Sequence, residues 1–528
     1  MTVLSMRFHQ YKYFPYERHL AELEVKRLLG VAPSEVDGSL QAQTLNGVDV
    51  HTLQRFTYFQ DIVVADGATV VPQQARLEAS ATKHGDPRRL RRQSTRYSAH
   101  GLHEYRGKFN PQIVRAMINL FELEAGDRIW DPFCGSGTVL LEALHQGLSA
   151  VGVDLNPLAV AITNAKLAAV RARPDTLKHA ADMIAERIQT RSMWLTGESP
   201  DDEEIKESLG RNWLEQFRCS DYLVRWFPIP VLAQFVVILD AINEVAPTSL
   251  RNVFRIILSD IARDVSWQDP GDLRIRRRRD PAPSYPAIQA FLATLQARVD
   301  AVTAAREHLP SHKGWQRAFE GDSSDIQTLK RSARKFLDEG VDCVLSSPPY
   351  ATALPYIDTQ RLSIALFGLA TAQEIHQLDS ALIGSREVST RERRALEESI
   401  NDNQAHVVCD VWRLCKMLKD AYAPGNDGFR RQNMPAVVYR YFSGMTRAME
   451  VAKWHLRKGG WLAFIVGPNR TSLGGEEFLI DTPTLLAATG EHIGLKLIEM
   501  HELNTYRRYD IHSHNSIREE QLLVMRRP

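Results

Sequence analysis

Long apolar runs are missing from the chain. Over 528 residues none reaches the roughly 18 that cross a bilayer. The opening MTVLSMRFHQYKYF also lacks the charged-then-apolar order of a secretory leader, so a cytoplasmic location and no membrane partner are expected. Cysteine is scarce: Cys134, Cys219, Cys343, Cys409 and Cys415 are scattered with no C-x-x-C pair. That spacing argues against a disulfide framework and a structural zinc site. The histidine pairs His100/His103 and His512/His514 have no cysteine or acidic partner at metal spacing, and no metal is expected. Neither sign of charge dominates, since 65 Lys and Arg face 64 Asp and Glu for a net charge of +1. The chain as a whole therefore exerts no pull on a polyanion. Arginine is instead clustered, at Arg88, Arg89, Arg91, Arg92 and Arg96 and again at Arg274, Arg276, Arg277, Arg278 and Arg279. Planar guanidinium forks suit phosphates, so both clusters are candidate contacts to a nucleic-acid backbone.

A third glycine is also missing where a dinucleotide site would need it. In the stretch WDPFCGSGT, from Trp130 to Thr138, Gly135 and Gly137 follow a short apolar run, but the third place of G-x-G-x-x-G is Leu140. A second apolar run ends at Asp154 and Leu155, with Asp154 lying 19 residues after Gly135. Glycine turns the backbone sharply against a ligand, and an acid at the tip of the next strand can accept from ribose hydroxyls. An adenosine-containing cofactor without a pyrophosphate is the expected ligand.

At this length two or three domains are expected. Residues 1–96 read as a small N-terminal region ending in a basic linker. From residue 97 to 171 strands and helices alternate, with Asn110-Pro111 opening a helix that runs to about Leu123. Residues 172–314 carry long amphipathic runs and read as a helical insert holding the second arginine cluster. Tryptophans 213, 226 and 267 read as core there. The strand-helix alternation resumes over 315–528, with a helix predicted from Ile326 to Asp338 and a minor insert at 371–435. A helix after Met445, a turn at Lys458-Gly459-Gly460, a buried strand from Trp461 and a closing antiparallel pair complete the pattern. The fold class is α/β, a mostly parallel sheet covered on both faces.

One further strand, Val341 to Leu345, ends abruptly at Ser346-Ser347-Pro348-Pro349-Tyr350. Prolines fix φ and donate no hydrogen bond, so this turn is rigid and offers carbonyl acceptors only. A hydroxyl stands before them and a ring after them. Such a group suits a flat partner that presents an NH2, namely a nucleobase.

Together DPFCGSGT and SSPPY resemble the class I S-adenosylmethionine-dependent DNA amino-methyltransferases, over about residues 97–170 and 315–528. The resemblance implies a Rossmann-like seven-stranded sheet, S-adenosylmethionine as cofactor and double-stranded DNA as partner. It implies catalytic Ser347, Pro348, Pro349 and Tyr350, with serine in the first place typical of the cytosine-N4 enzymes. HEYRGKFNP, from His103 to Pro111, looks like the family's additional cofactor motif, so Lys108, Phe109, Asn110 and Pro111 join the cofactor set. Asp131, Pro132, Phe133, Gly135, Gly137 and Thr138 should line the methionine part. Asp154 should meet the ribose, Leu155 the adenine ring, and Asp322 with Ser323 the adenine amine. The Pro-Cys nucleophile of the cytosine-C5 enzymes is absent from the chain.

By the same resemblance the activity is transfer of methyl to the N4 amine of a flipped cytosine, in restriction-modification or phage defence with a restriction endonuclease as companion. Competing readings are an adenine-N6 DNA enzyme, a tRNA guanine-N2 enzyme, whose relatives usually carry Asn in place of Ser347, and a non-catalytic nucleic-acid-binding module. The insert at 172–314 is the preferred target reader because it holds Arg274 to Arg279.

Overall fold

A computed structural model describes residues 2–82, 93–105, 107–192, 202–269, 271–272, 275–278, 286–310, 314–351, 357–423, 427–504 and 519–528. Arg88, Arg89, Arg91, Arg92, Arg274, Arg279, His512 and His514 lie outside them.

The N-terminal domain is a five-stranded sheet in the order β2-β3-β1-β4-β5. Its strands are β1 Thr2–Phe8, β2 Ser34–Val36, β3 Ser39–Thr44, β4 Phe59–Val64 and β5 Thr69–Val70. Helices α1 Pro15–Leu29, α2 Val50–Arg55 and α3 Gln73–Thr82 accompany them. Its apolar face does not close on itself. Leu4, Met6, Phe56 and Tyr58 share one buried cluster with Ile113, Val114 and Met117 of α4 Pro111–Leu120. Polar contacts cross the same seam: Asn119 Nδ2 donates to Glu24 Oε1 at 2.7 Å, and Arg55 Nε donates to Asn119 Oδ1 at 3.2 Å. The domain is built into the main fold, because burying a polar group without such partners would cost about 1–3 kcal/mol.

The main sheet has seven strands in the order β13-β14-β10-β9-β6-β7-β8. They are β6 Arg128–Asp131, β7 Ser149–Asp154, β8 Gln316–Glu320, β9 Val341–Ser346, β10 Leu456–Val466, β13 Lys496–Asn504 and β14 Glu519–Arg526. A short hairpin of β11 Asn469–Leu473 and β12 Glu476–Ile480 stands apart. Strands β6 to β10 pair in parallel, while β14 runs antiparallel between β10 and β13. Parallel strands buried on both faces need continuous apolar runs, which β9 and β10 supply. Chain order reverses between β6 and β9, and such a switch point opens a crevice outside the carboxyl ends of the strands. This is the seven-stranded Rossmann-like α/β sheet that the resemblance implies, with α5 Thr138–Gln146 and α6 Pro157–Arg171 as its first crossover helices.

The insert is helical. Its core around Phe235, Phe254 and Leu258 is continuous with Leu158 and Ile162 of α6, so it covers that face of the sheet. Trp213 belongs to this core, and Trp226 packs against it partly buried.

Three local expectations are corrected. The helix placed at Ile326–Asp338 is two pieces, a 3-10 turn Ile326–Thr328 and a helix Arg331–Asp338, because Lys330 between them is extended at φ −60° and ψ 148°. The helix placed after Met445 already begins at Met434, with Pro435 in its first turn. Lys458 to Gly460 is no turn but lies inside β10, where the register with β9 shifts between Leu456 and Trp461. Among the described residues no helix is long and apolar enough to cross a membrane.

Candidate active site

The loop after β6 is shaped by its own side chains. Asp131 Oδ1 accepts from Phe133 N at 3.1 Å, and Gly135 N donates to Asp154 Oδ2 at 2.8 Å. Gly137 has φ +77°, and a Cβ there would stand 2.4 Å from Thr163 Cγ2. Helix α6 clamps the loop from behind. Thr163 Oγ1 donates to Gly135 O at 2.9 Å, and Lys166 Nζ donates to Ser136 O at 3.0 Å.

Asp154 ends β7, and its Oδ1 accepts from Asn156 N at 2.9 Å. Burial pushes its carboxyl up to about 6, against the pull of the two backbone N–H groups. Each carboxylate oxygen thus spends one lone pair on the backbone and keeps capacity for another donor. Asp131 is pushed further, to about 7, by burial, which outweighs the Ser346 hydroxyl and the Phe133 N–H.

After β8, Ser323 Oγ donates to Pro132 O at 2.6 Å and so ties this loop to the glycine loop. Asp322 Oδ1 accepts from Ser324 N and Ser324 Oγ, both at 2.8 Å. At the end of β9, Ser346 Oγ donates to Asp131 Oδ1 at 2.6 Å. The Tyr350 hydroxyl donates to Glu520 Oε1. A loop at Leu382 to Ser385 lies against Pro349 and Tyr350, since a Cβ at Gly384 would stand 2.7 Å from Tyr350 O and 3.2 Å from Pro349 Cβ.

The segment before α4 covers the glycine loop. Lys108 Nζ donates to Thr95 O at 2.8 Å and His100 O at 3.2 Å, and burial pushes its ammonium well below the ordinary lysine range. Asn110 Oδ1 caps α4 by accepting from Gln112 N. Tyr105 lies over Gly135.

These parts enclose one cavity of about 660 Å³. Of the residues expected from sequence, Lys108, Phe109, Asn110, Pro132, Phe133, Gly135, Asp154, Leu155, Asp322, Ser323, Ser347, Pro348, Pro349 and Tyr350 line it. Asp131 and Thr138 line a small adjoining recess instead, and Pro111 lines a neighbouring cavity beside Arg298. Gly137 lines none of these three; its glycine is required by Thr163. Phe14, Tyr16, Glu17, Leu382, Ile383, Leu503 and Glu520 also line the main cavity and were not foreseen. No local motif marks Phe14 to Glu17, whereas Glu520 stands directly before an apolar run expected to be a strand.

Of the arginine cluster of the insert, the described Arg276, Arg277 and Arg278 line none of these cavities. Arg276 forms an ion pair with Asp272 at 3.7 Å, and the Arg277 guanidinium stands 5.2 Å from the Trp267 ring centre. Arg278 Nε donates to Gln268 O at 2.8 Å. Arg276 and Arg277 are exposed.

Behind the glycine loop the structure corrects one premise about histidine. His100 does have an acidic partner, since Glu142 Oε1 receives His100 Nε2 at 2.7 Å, His145 Nδ1 at 3.0 Å and the Tyr97 hydroxyl at 2.8 Å. His100, Glu142 and His145 are a buried trio of the kind that can hold a cation. Here their atoms are spent on one another, and Arg115 Nε donates to Glu142 Oε2 at 3.1 Å.

Residues 102–192 match the family described as UPF0020: RMKL-like, methyltransferase domain. The Type II methyltransferase M.MvaI of Kocuria varians is 25% identical over 303 residues, covering 56% of this chain and 63% of that protein. The Type II methyltransferase M.MjaII of Methanocaldococcus jannaschii is 23% identical over 337 residues, covering 52% and 63%. A tRNA (guanine(10)-N2)-dimethyltransferase of Methanothermobacter thermautotrophicus is 48% identical over 52 residues, covering 10% and 16%. The chain thus spans about 63% of the length of the first two relatives.

Proposed function

We propose that the chain is a DNA methyltransferase that uses S-adenosylmethionine to methylate the exocyclic N4 amine of cytosine. The observation that carries this reading is the shared cavity: Ser347 to Tyr350 at the end of β9 line the same space as Gly135, Asp154, Leu155 and Asp322. The residues fit the cofactor. Asp154 has acceptor capacity left for ribose hydroxyls, Leu155 offers apolar surface to a purine, and Asp322 is an acceptor for its amine. When bound, S-adenosylmethionine supplies an activated methyl group.

What the chain itself must supply is orientation. The lone pair of the cytosine amine is delocalised into the ring. The Ser347 hydroxyl and the Pro348 carbonyl accept its N–H bonds and turn the amine out of the ring plane, which localises that pair. Tyr350 gives the base a face to lie on. A base within a duplex cannot enter a cavity between strand ends, so the target is flipped out. Exposed Arg276 and Arg277 are candidate backbone contacts. The names of the two longer relatives favour a restriction-modification setting, in which an endonuclease is the companion protein.

A second reading, methylation of a guanine N2 amine in tRNA, is favoured by the 48% match to a tRNA dimethyltransferase. Incubation with methyl-labelled S-adenosylmethionine and either duplex DNA or tRNA, followed by digestion to nucleosides, separates the two. N4-methylcytosine is the expected product. N6-methyladenine, or label in tRNA alone, would overturn the reading.

A further inference from the structure

Strand β14 is antiparallel to β10, so its first residues lie at the carboxyl edge of the parallel strands, where the cavity opens. Gln521 pairs with Val466, the last residue of β10, and Glu520 pairs with Leu503. Both Glu520 and Leu503 line the cavity, as do Tyr350 and the N-terminal domain's Phe14 and Tyr16. The Phe14 and Tyr16 rings are stacked, with centres 5.7 Å apart and planes 9° from parallel. Glu520 is therefore held on a paired strand, while Tyr350 sits on a loop end beyond two prolines.

We infer that Glu520 is a positioning residue for Tyr350: its carboxylate accepts from the phenol hydroxyl and pins the far end of the ring that the target base lies on. A hydrogen bond from a hydroxyl to a charged acceptor is roughly twice as strong as a neutral one, and it fixes the one end of the side chain that backbone geometry leaves loose. The inference rests on the proposed amine-methylating role of Tyr350. It assigns to the last strand a part in aligning the substrate that no motif in the sequence marks.

Two measurements test it. In steady-state methylation of mixed-sequence duplex DNA, Glu520→Ala and Tyr350→Phe each lower kcat by a similar factor, on the order of 10- to 100-fold for a misplaced reacting group. The double variant is no slower than either single one, as expected for residues that act through one bond. Glu520→Gln, which keeps a carbonyl acceptor, recovers most of the rate, and affinity for S-adenosylhomocysteine by calorimetry stays unchanged in all of them. Additive losses, or a Glu520→Ala protein as fast as the parent, overturn the inference. The second measurement needs no turnover. In protein carrying 3-fluorotyrosine, the fluorine resonance of Tyr350, identified by its loss in Tyr350→Phe, moves toward the solvent position in Glu520→Ala and not in Glu520→Gln. A resonance that stays put in Glu520→Ala overturns the inference as well. If the parent protein transfers no methyl to DNA, the substrate reading fails, and the fluorine spectrum still decides whether Glu520 holds the ring.

Discussion

Ser346 Oγ donates a 2.6 Å hydrogen bond to Asp131 Oδ1, and so joins the end of β9 to the end of β6. The same oxygen accepts from Phe133 N at 3.1 Å. One buried carboxyl oxygen thus fixes the spacing between the glycine loop and the proline-rich loop. Whatever transfers between the two loops depends on that spacing.

The Asp131 carboxyl gives a pH signature. Its folded value of about 7 lies above the ordinary aspartate value of about 3.9, so its stabilising contribution is full below about pH 4 and is lost as pH rises through about 7. An asparagine at this position would keep both hydrogen bonds on its single oxygen while carrying no charge. Asp131→Asn is therefore expected to raise the unfolding temperature at pH 8, on the order of a few degrees, and to change it little at pH 4.5. Thermal unfolding at the two pH values checks this; an equal shift at both would exclude the buried charge as the cause.

Much of the site is legible in the chain because its chemistry is local. The loop at Asp131 to Thr138 needs glycine for its own backbone, Asp154 ends the next strand, and Ser347 to Tyr350 follow the strand that pairs with the first. Lys108 to Pro111 stand just before a helix that Asn110 caps. What escapes the sequence depends on sheet order and docking. Glu520 reaches the cavity only because β14 inserts next to β10, and Phe14 and Tyr16 reach it only because the N-terminal domain shares its core with α4. The turn expected at Lys458 to Gly460 is absorbed into β10 because its backbone pairs on the antiparallel side, where Gly459 N donates to Arg527 O and Arg527 N donates to Gly460 O. Local turn preference yields there to pairing.

The raised Asp154 carboxyl predicts a pH dependence of cofactor affinity. With its carboxyl at about 6, lowering the pH from 7.5 to 5 protonates the group expected to accept from the ribose. Affinity for S-adenosylhomocysteine should weaken as pH falls through about 6. Asp154→Asn should weaken it by on the order of 10-fold or more, the worth of a hydrogen bond to a charged group, and should remove that pH dependence. Calorimetry on the parent and the variant from pH 5 to 8 supplies the comparison, and a pH-independent parent would assign the ribose contact elsewhere.

Gly137 packs against α6 and lines none of the three cavities around the site. An alanine there would hold φ at +77° with its Cβ 2.4 Å from Thr163 Cγ2. Backbone strain of this kind costs about 1–3 kcal/mol before the collision is counted. Gly137→Ala should lower the urea midpoint of unfolding, and Thr163→Ala in the same chain should restore part of it. A lone alanine variant of full stability would show that the loop moves freely away from α6.

Glu142 is the group on which the buried packing of Tyr97, His100, His145 and Arg115 depends. It receives Tyr97, His100 and His145 on one oxygen and Arg115 on the other, all of them buried. Burial by itself would raise its carboxyl, but His145, Arg115 and the two histidine hydrogen bonds together hold it well below the usual range. A depressed carboxyl contributes stability above its unfolded value of about 4.3, and that contribution is lost as pH falls through the folded value. Glu142→Gln keeps one acceptor oxygen but leaves the buried Arg115 guanidinium without its anion, a loss of about 3–5 kcal/mol for a broken buried pair. The deficit against the parent should be largest between pH 6 and 8 and should shrink below about pH 4, where the unfolded chain takes up the proton that the folded carboxyl still refuses. Urea unfolding across that range measures it. Because Tyr97 and His100 belong to the segment that leads to Lys108 and Asn110, the variant should also bind S-adenosylhomocysteine more weakly at neutral pH, although Glu142 itself lines none of the cavities around the site.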